Sequence, residues 1–328
     1  MSSDANLDAL AARIARELSR ADQVGNRESA GAQRSWVDGK REPPGNREPR
    51  TGNVEEGGAV TTSASPGVRY VRDNARIAEF IDHTLLKAES TRADIDQLCS
   101  EALEHEFAAV CVNPVWVPHC VARLQGSRVA VATVVGFPLG ANQSEIKAAE
   151  TSLAVRQGAA EIDMVAAVGH IKGGDWNHVA DDIAAVVGAA AGRLVKVIIE
   201  SAHLTPVEII KASALAREAG AQYVKTSTGF HAAGGATAEA VALMRLVVGD
   251  SMGVKASGGV RDCATALRMI ANGATRIGTS SGVGMAQCLG RGPLPMRELL
   301  ASPHAHQERC ATGTCLTNDT ATKAAAPY

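Results

Sequence analysis

Residues 221–230 read AQYVKTSTGF. Tyr223 and Val224 are good strand formers, and Lys225 follows them where an apolar side chain is the ordinary expectation. Thr226, Ser227, Thr228 and Gly229 then make a polar turn. A strand that ends on a cation and breaks into hydroxyls and glycine suits the C-terminal mouth of a parallel barrel, where active sites of that fold sit. The flanking sequence decides whether such a barrel exists.

Outward from this stretch, between about Ala78 and Gly282, short runs rich in Val and Ile alternate with longer segments of helical period. The strand candidates are AEFIDHT, FAAVCVN, VAVATVVGF, EIDMVAAV, LVKVIIES, YVKTST, GVKASG and TRIGTS. Between them lie RADIDQLCSEALEHE, WVPHCVARLQ, SEIKAAETSLAVRQG, DWNHVADDIAAVVGAAAG, TPVEIIKASALAREAG, ATAEAVALMRLVVG and DCATALRMIANG. Asp175, Thr205 and Asp262 stand where N-caps belong, and Gly158, Gly220 and Gly273 where helices stop. Eight strand-then-helix units predict an α/β fold, a TIM (β/α)8 barrel, over residues 73–290. The runner-up is an open doubly wound sheet, but its G-x-G-x-x-G fingerprint is absent from the expected place.

The flanks read differently. Leu7, Leu10, Ala11, Ile14 and Leu18 predict a short amphipathic helix within residues 1–20. Residues 21–72 are dense in Gly, Pro, Arg, Glu and Asn, and predict a disordered linker. After Gly282 comes a short helix-like LPMRELLAS, and residues 291–328 are expected to form a flexible tail. With 33 basic against 35 acidic residues, no broad field favours nucleic acid or an anionic membrane. No apolar run approaches the roughly 20 residues that span a bilayer. Seven cysteines without a C-x-x-C pair argue against a secreted disulfide framework, and a cytoplasmic setting is expected.

Polar residues late in strands are the candidates for chemistry: Asp82, Cys111, Asn113, Asp163, Glu200, Lys225 and Lys255. Lys225 and Lys255 fall on neighbouring strands, about 4.8 Å apart in a parallel sheet. Two desolvated ammonium groups that close push at least one pKa down, and a neutral lysine can condense with a carbonyl to an imine. Asp163 needs a cationic partner in its apolar strand, and the lysines supply one. Lys196 lies early in its strand, either a member of the site or an ion-pair partner of Asp163. KASGGVRD (255–262) and RIGTSSGVG (276–284) put Gly258, Gly259, Ser280 and Ser281 after strands seven and eight, where barrels bind phosphate, and Thr228 and Gly229 can join them. No metal is expected: His83, His203 and His231 read as separated, and the tail cluster of His304, His306, Cys310 and Cys315 is a weak zinc candidate.

Taken together, IDHTLL, VCVNP, VVGFPLGANQSEIKAAE, GAAEIDMV, LVKVIIE, YVKTSTGF, VKASGGVRD and IGTSSG resemble the deoxyribose-phosphate aldolase family of class I aldolases. The resemblance covers about residues 78–283. It implies reversible cleavage of 2-deoxy-D-ribose 5-phosphate to D-glyceraldehyde 3-phosphate and acetaldehyde, with no metal or organic cofactor. It implies that Lys225 is the Schiff-base nucleophile, that Lys255 lowers its pKa and shuttles protons, and that Asp163 moves protons through water. Asp82 and Cys111 match residues at the substrate end of the pocket. Thr228, Gly229, Gly258, Gly259, Ser280 and Ser281 match phosphate and hydroxyl contacts. Tyr328, in the terminal APY, matches a tail tyrosine that assists proton transfer in some members. A homodimer is the expected assembly. The alternatives are another phosphosugar lyase or isomerase on the same barrel, whose lysines hold phosphate, and a non-catalytic binder acting through its N-terminal arm.

Overall fold

The computed structural model describes residues 75–289 and Leu300. The expected helix of 1–20, the linker 21–72, nearly all of LPMRELLAS, the tail 291–328 and Tyr328 lie outside them. Eight parallel strands close into a barrel in sequential order: β1 (Ile81–Leu85), β2 (Ala109–Val112), β3 (Ala130–Val135), β4 (Glu161–Val165), β5 (Leu194–Ile198), β6 (Tyr223–Lys225), β7 (Gly253–Ser257) and β8 (Arg276–Thr279). The helices are α1 (Arg92–His105), α2 (Val117–Arg123), α3 (Ser144–Arg156), α4 (Val168–Gly173), α5 (Trp176–Ala189), α6 (Pro206–Glu218), α7 (Ala238–Val248), α8 (Cys263–Ala271) and α9 (Gly282–Leu289).

The expected caps work as their chemistry dictates. Asp175, Thr205 and Asp262 each accept a backbone N–H in the first turn of α5, α6 and α8. Thr205 completes a capping box with Glu208, and Pro206 opens that helix without wasting a donor. Gly158, Gly220 and Gly273, just past α3, α6 and α8, have φ of 102°, 86° and 107°, which reverses the chain into the next strand.

Four local differences have physical causes. AEFIDHT begins as a 3-10 turn, Ile77–Phe80, and becomes strand only at Ile81. The strand in YVKTST stops at Lys225, because the Thr226 hydroxyl donates to Ser257 O and accepts from Ser257 N. GHIKGG coils into α4 ahead of the α5 cap. The glycines of SGVGMAQCL start α9 directly after β8, where the Gly-rich RIGTSSGVG reads as a turn. In addition, Cys288 in α9 is disulfide-bonded, which the cysteine spacing did not announce.

The barrel interior is divided. Ala109, Cys111, Ala132 and Val134, from β2 and β3, pack as an apolar cluster with Leu86. The remaining strands send charge inward, from Asp82, Glu161, Asp163, Lys196, Lys225, Lys255 and Arg276. Outside the barrel, Lys147 of α3 is fully buried against Asp182 of α5 at 2.7 Å and donates to Val165 O at 2.9 Å, tying two helices to the end of β4.

Candidate active site

Parallel register sets the first geometry. Lys225 lies opposite Lys255 across β6 and β7, and Asp163 lies opposite Lys196 across β4 and β5. Asp163 Oδ2 accepts from Lys225 Nζ at 2.8 Å and Lys255 Nζ at 2.7 Å, while its Oδ1 accepts from Lys196 Nζ at 2.7 Å. Asp82 Oδ2 pairs with Lys255 at 2.5 Å and Lys196 at 3.5 Å, and Asp82 Oδ1 takes Arg276 at 2.5 Å. Glu161 bridges Lys196 at 2.5 Å and Arg276 at 3.2 Å.

Four cations thus face three carboxylates in a deeply buried layer, with Lys196, Lys255, Asp82 and Asp163 all 0% exposed and Lys225 only 2%. One proton fewer would balance the layer. Lys225 is the group that gives it up most easily. Burial lowers its pKa from 10.5, Asp163 opposes the change, and Lys255 adds to it. The other lysines go the opposite way. Burial depresses Lys255, but Asp163 and Asp82 outweigh it and hold its pKa above the ordinary value. Burial likewise opposes the charge on Lys196, and Asp163, Glu161 and Asp82 overcome it by a wide margin. Asp163 is raised by burial and lowered further by Lys196, Lys225 and Lys255, ending well below the usual carboxylate range. Burial also raises Asp82, and Arg276, Lys255 and Lys196 bring it far down.

Lys225, Lys255, Asp163, Asp82 and Lys196 therefore meet in one network. Lys196 is the partner of Asp163 and of two further acids. Cys111 stands on the edge, its Sγ 4.0 Å from Asp163 Oδ2, and burial pushes its thiol pKa up. Glu161 and Arg276 were missed: both lie at the start of their strands, where the rule of looking late in strands does not reach. A strand-leading charge in an apolar run was the available signal.

The rim is built on hydroxyls and glycines. Thr228 donates its N–H and its hydroxyl to the Glu200 carboxylate, the latter at 2.6 Å. Glu200 is 3% exposed and sits in the left-handed region at φ 56°, a conformation that costs about 1–3 kcal/mol for a non-glycine residue. The bonds from Ile199 N to Lys225 O and from Ser201 N to Thr226 O hold it there. Gly229, Gly258 and Gly259 have φ of 83°, 85° and 76°. Ser281 donates its N–H to Thr279 Oγ1 at the foot of α9, whereas Ser280 is exposed and lines a cavity toward β1 with His83 and Thr84. His203 and His231, read as separated, meet at this rim with Nε2 atoms 2.5 Å apart.

A family model described as DeoC/LacD family aldolase matches residues 76–289. The chain belongs to the DeoC/LacD aldolase family. Among relatives in that family, the deoxyribose-phosphate aldolase of Histophilus somni strain 2336 is 56% identical over 207 residues, covering 63% of this chain and 92% of the relative. That of Streptococcus uberis is 58% identical over 208 residues, covering 63% and 94%. The solved deoxyribose phosphate aldolase of Aeropyrum pernix, described as a tetramer, is 30% identical with a TM-score of 0.60, covering 69% of this chain and 91% of its own. The family match spans the whole barrel and every member of the charged layer. No helix among the described residues is long and apolar enough to cross a membrane.

Proposed function

We propose that this chain is a deoxyribose-phosphate aldolase, cleaving 2-deoxy-D-ribose 5-phosphate reversibly to D-glyceraldehyde 3-phosphate and acetaldehyde through an imine on Lys225. Relatives of that name at 56% and 58% identity support the substrate. One observation carries the chemistry: two lysines share Asp163 Oδ2, and only Lys225 has its pKa lowered while Lys255 and Lys196 hold their protons.

The neutral Lys225 Nζ adds to the aldehyde carbon C1 of the open-chain sugar, and the carbonyl oxygen takes up a proton to give a carbinolamine. Loss of water leaves a protonated imine. Removal of the C3 hydroxyl proton breaks the C2–C3 bond, whose electron pair flows to the imine nitrogen. D-Glyceraldehyde 3-phosphate leaves, and an enamine remains. Protonation at C2 and hydrolysis then release acetaldehyde and the free amine. Asp163 Oδ2, within hydrogen-bond reach of both lysine nitrogens, relays protons between them and a water. The protonated imine carries one positive charge, as an ammonium does, so Asp163 stabilises it without rearrangement.

Asp82, expected at the substrate end, and Lys196, read as a site member or an ion-pair partner of Asp163, act in this reading as positioning groups, because their charged atoms are engaged by buried partners. Thr228 shapes the turn through Glu200. Cys111 borders the reacting carbon. Gly229 and Gly259 offer backbone N–H groups to the phosphate, with the Gly258 turn, Ser280, Ser281 and the start of α9 beside them. A cytoplasmic setting and a homodimer rest on the sequence reading.

The test is release of acetaldehyde from 2-deoxy-D-ribose 5-phosphate. The wild-type chain releases it and Lys225→Met does not. Turnover by Lys225→Met, or none by the wild type, contradicts the proposal.

A further inference from the structure

On the outer face, α4 ends and α5 begins around Gly173 and Gly174, and three side chains with metal-ligating atoms converge there. His170 Nδ1 is 3.1 Å from Asp175 Oδ2, and the rings of His170 and His178 stack with centroids 3.6 Å apart and planes 16° off parallel. One ligand atom from each of the three lies within 4.8 Å of the others. The backbone pre-forms the group. Gly174 turns at φ 73°, Asp175 N donates to His170 O at 2.9 Å, and Asp175 Oδ1 caps α5 by accepting from His178 N. The cap leaves Oδ2 pointing at His170.

We propose that His170, Asp175 and His178 form a binding site for a divalent transition metal of the zinc class, with water completing the coordination. Two imidazoles and one carboxylate are a borderline-soft donor set that suits zinc and disfavours calcium or magnesium. Zinc binds histidine nitrogen at about 2.0–2.1 Å and carboxylate oxygen at about 2.0–2.2 Å, so a tetrahedral centre spaces its ligand atoms roughly 3.3–3.5 Å apart. The His170–Asp175 pair already stands near that spacing. His178 closes the rest by side-chain rotation, which its partial exposure allows. The ion takes the position of the proton between His170 Nδ1 and Asp175 Oδ2, and that proton moves to the solvent-facing ring nitrogen. The cluster lies apart from the charged layer, and the metal staples α4 to α5 across the glycine turn. The aldol reaction needs no part of it.

The full chain carries a rival donor set, His304, His306, Cys310 and Cys315. The test is therefore calorimetric titration with zinc chloride of a chain in which those four and the disulfide-bonded Cys288 are replaced, His304→Ala, His306→Ala, Cys288→Ser, Cys310→Ser and Cys315→Ser. His170→Ala, His178→Ala or Asp175→Asn is then added in turn. Asparagine caps a helix as well as aspartate does, so Asp175→Asn removes a ligand without removing the cap. Circular dichroism checks the fold of each variant. The expected result is one zinc per chain in the micromolar range, weakened about tenfold or more by each of the three changes. Absence of zinc uptake into the millimolar range, or affinity unchanged by the His170 and His178 substitutions, overturns the proposal.

Discussion

Lys225 and Lys255 face one another in register on β6 and β7, and their ammonium groups touch the same oxygen of Asp163. They differ in what else they touch. Lys255 has Asp82 as a second acid at 2.5 Å, whereas Asp163 is the acid that Lys225 touches among the described residues. Shared and outnumbered, the single carboxylate does not offset the desolvation of Lys225.

The first prediction concerns the second lysine. Replacing Lys255 with Met removes a cation that lowers the Lys225 pKa, so the pH at which Lys225 becomes reactive moves upward. In the wild type that midpoint lies below 10.5. Loss of the proton shuttle as well should reduce turnover about 10²–10⁴-fold. Reductive trapping rate against pH, measured for both proteins, separates the shift from the loss.

Asp163→Asn takes away the anion that three buried lysines share. Breaking a buried ionic cluster on one side costs about 3–5 kcal/mol, to be read from denaturant unfolding. The pH dependence has a definite sign. Asp163 and Asp82 titrate below 3.8 in the folded chain, so their contribution is present above pH 3.8 and is lost as pH falls through the folded values. Lys196 and Lys255 titrate above 10.5, so theirs is present below that pH and is lost on raising it through the folded values. Lys225, titrating below 10.5, has the opposite sign and favours folding as pH rises toward 10.5. The variant should therefore show a shallower loss of stability in acid than the wild type.

Gly278→Ala tests the packing that aims Lys255. A Cβ at Gly278 of β8 would stand 2.9 Å from Lys255 Cε and 2.8 Å from Ser257 Cβ, closer than such atoms approach. The Lys255 stem must move, and Asp163 Oδ2 then loses one of its two lysines. Aldol turnover should fall while the Lys225 side chain is chemically untouched, with kcat reduced more than KM is raised.

Outside the barrel, Asp182→Ala strands the buried Lys147 ammonium. Among the described residues its Nζ keeps only the Val165 carbonyl, so the chain should lose about 3–5 kcal/mol of stability. The active centre is on other elements, and activity per folded molecule should be retained.

Most of the barrel was legible because its strands are rich in β-branched residues and α5, α6 and α8 are announced by their caps. Lys225, Lys255 and Asp163 were legible for a related reason, since charge inside an apolar strand is too costly to be incidental. Glu161 and Arg276 share that signature but stand at strand starts, and only barrel closure brings β8 against β1 and lets Arg276 reach Asp82. The meeting of His203 with His231, and of His170 with His178, depends on loop paths that no periodicity encodes. α9 escaped because Gly282 and Gly284 read as turn residues, while its burial of Met285 shows that packing overrides propensity there.

The central claim is that Lys225 forms a carbon–nitrogen bond with the substrate carbonyl. Incubation with acetaldehyde and sodium borohydride, followed by digestion and peptide mass spectrometry, reads it directly. The account predicts an ethyl group on Lys225, absent from Lys147, Lys196 and Lys255. An active enzyme whose Lys225 stays unmodified, or whose adduct falls on another lysine, contradicts it.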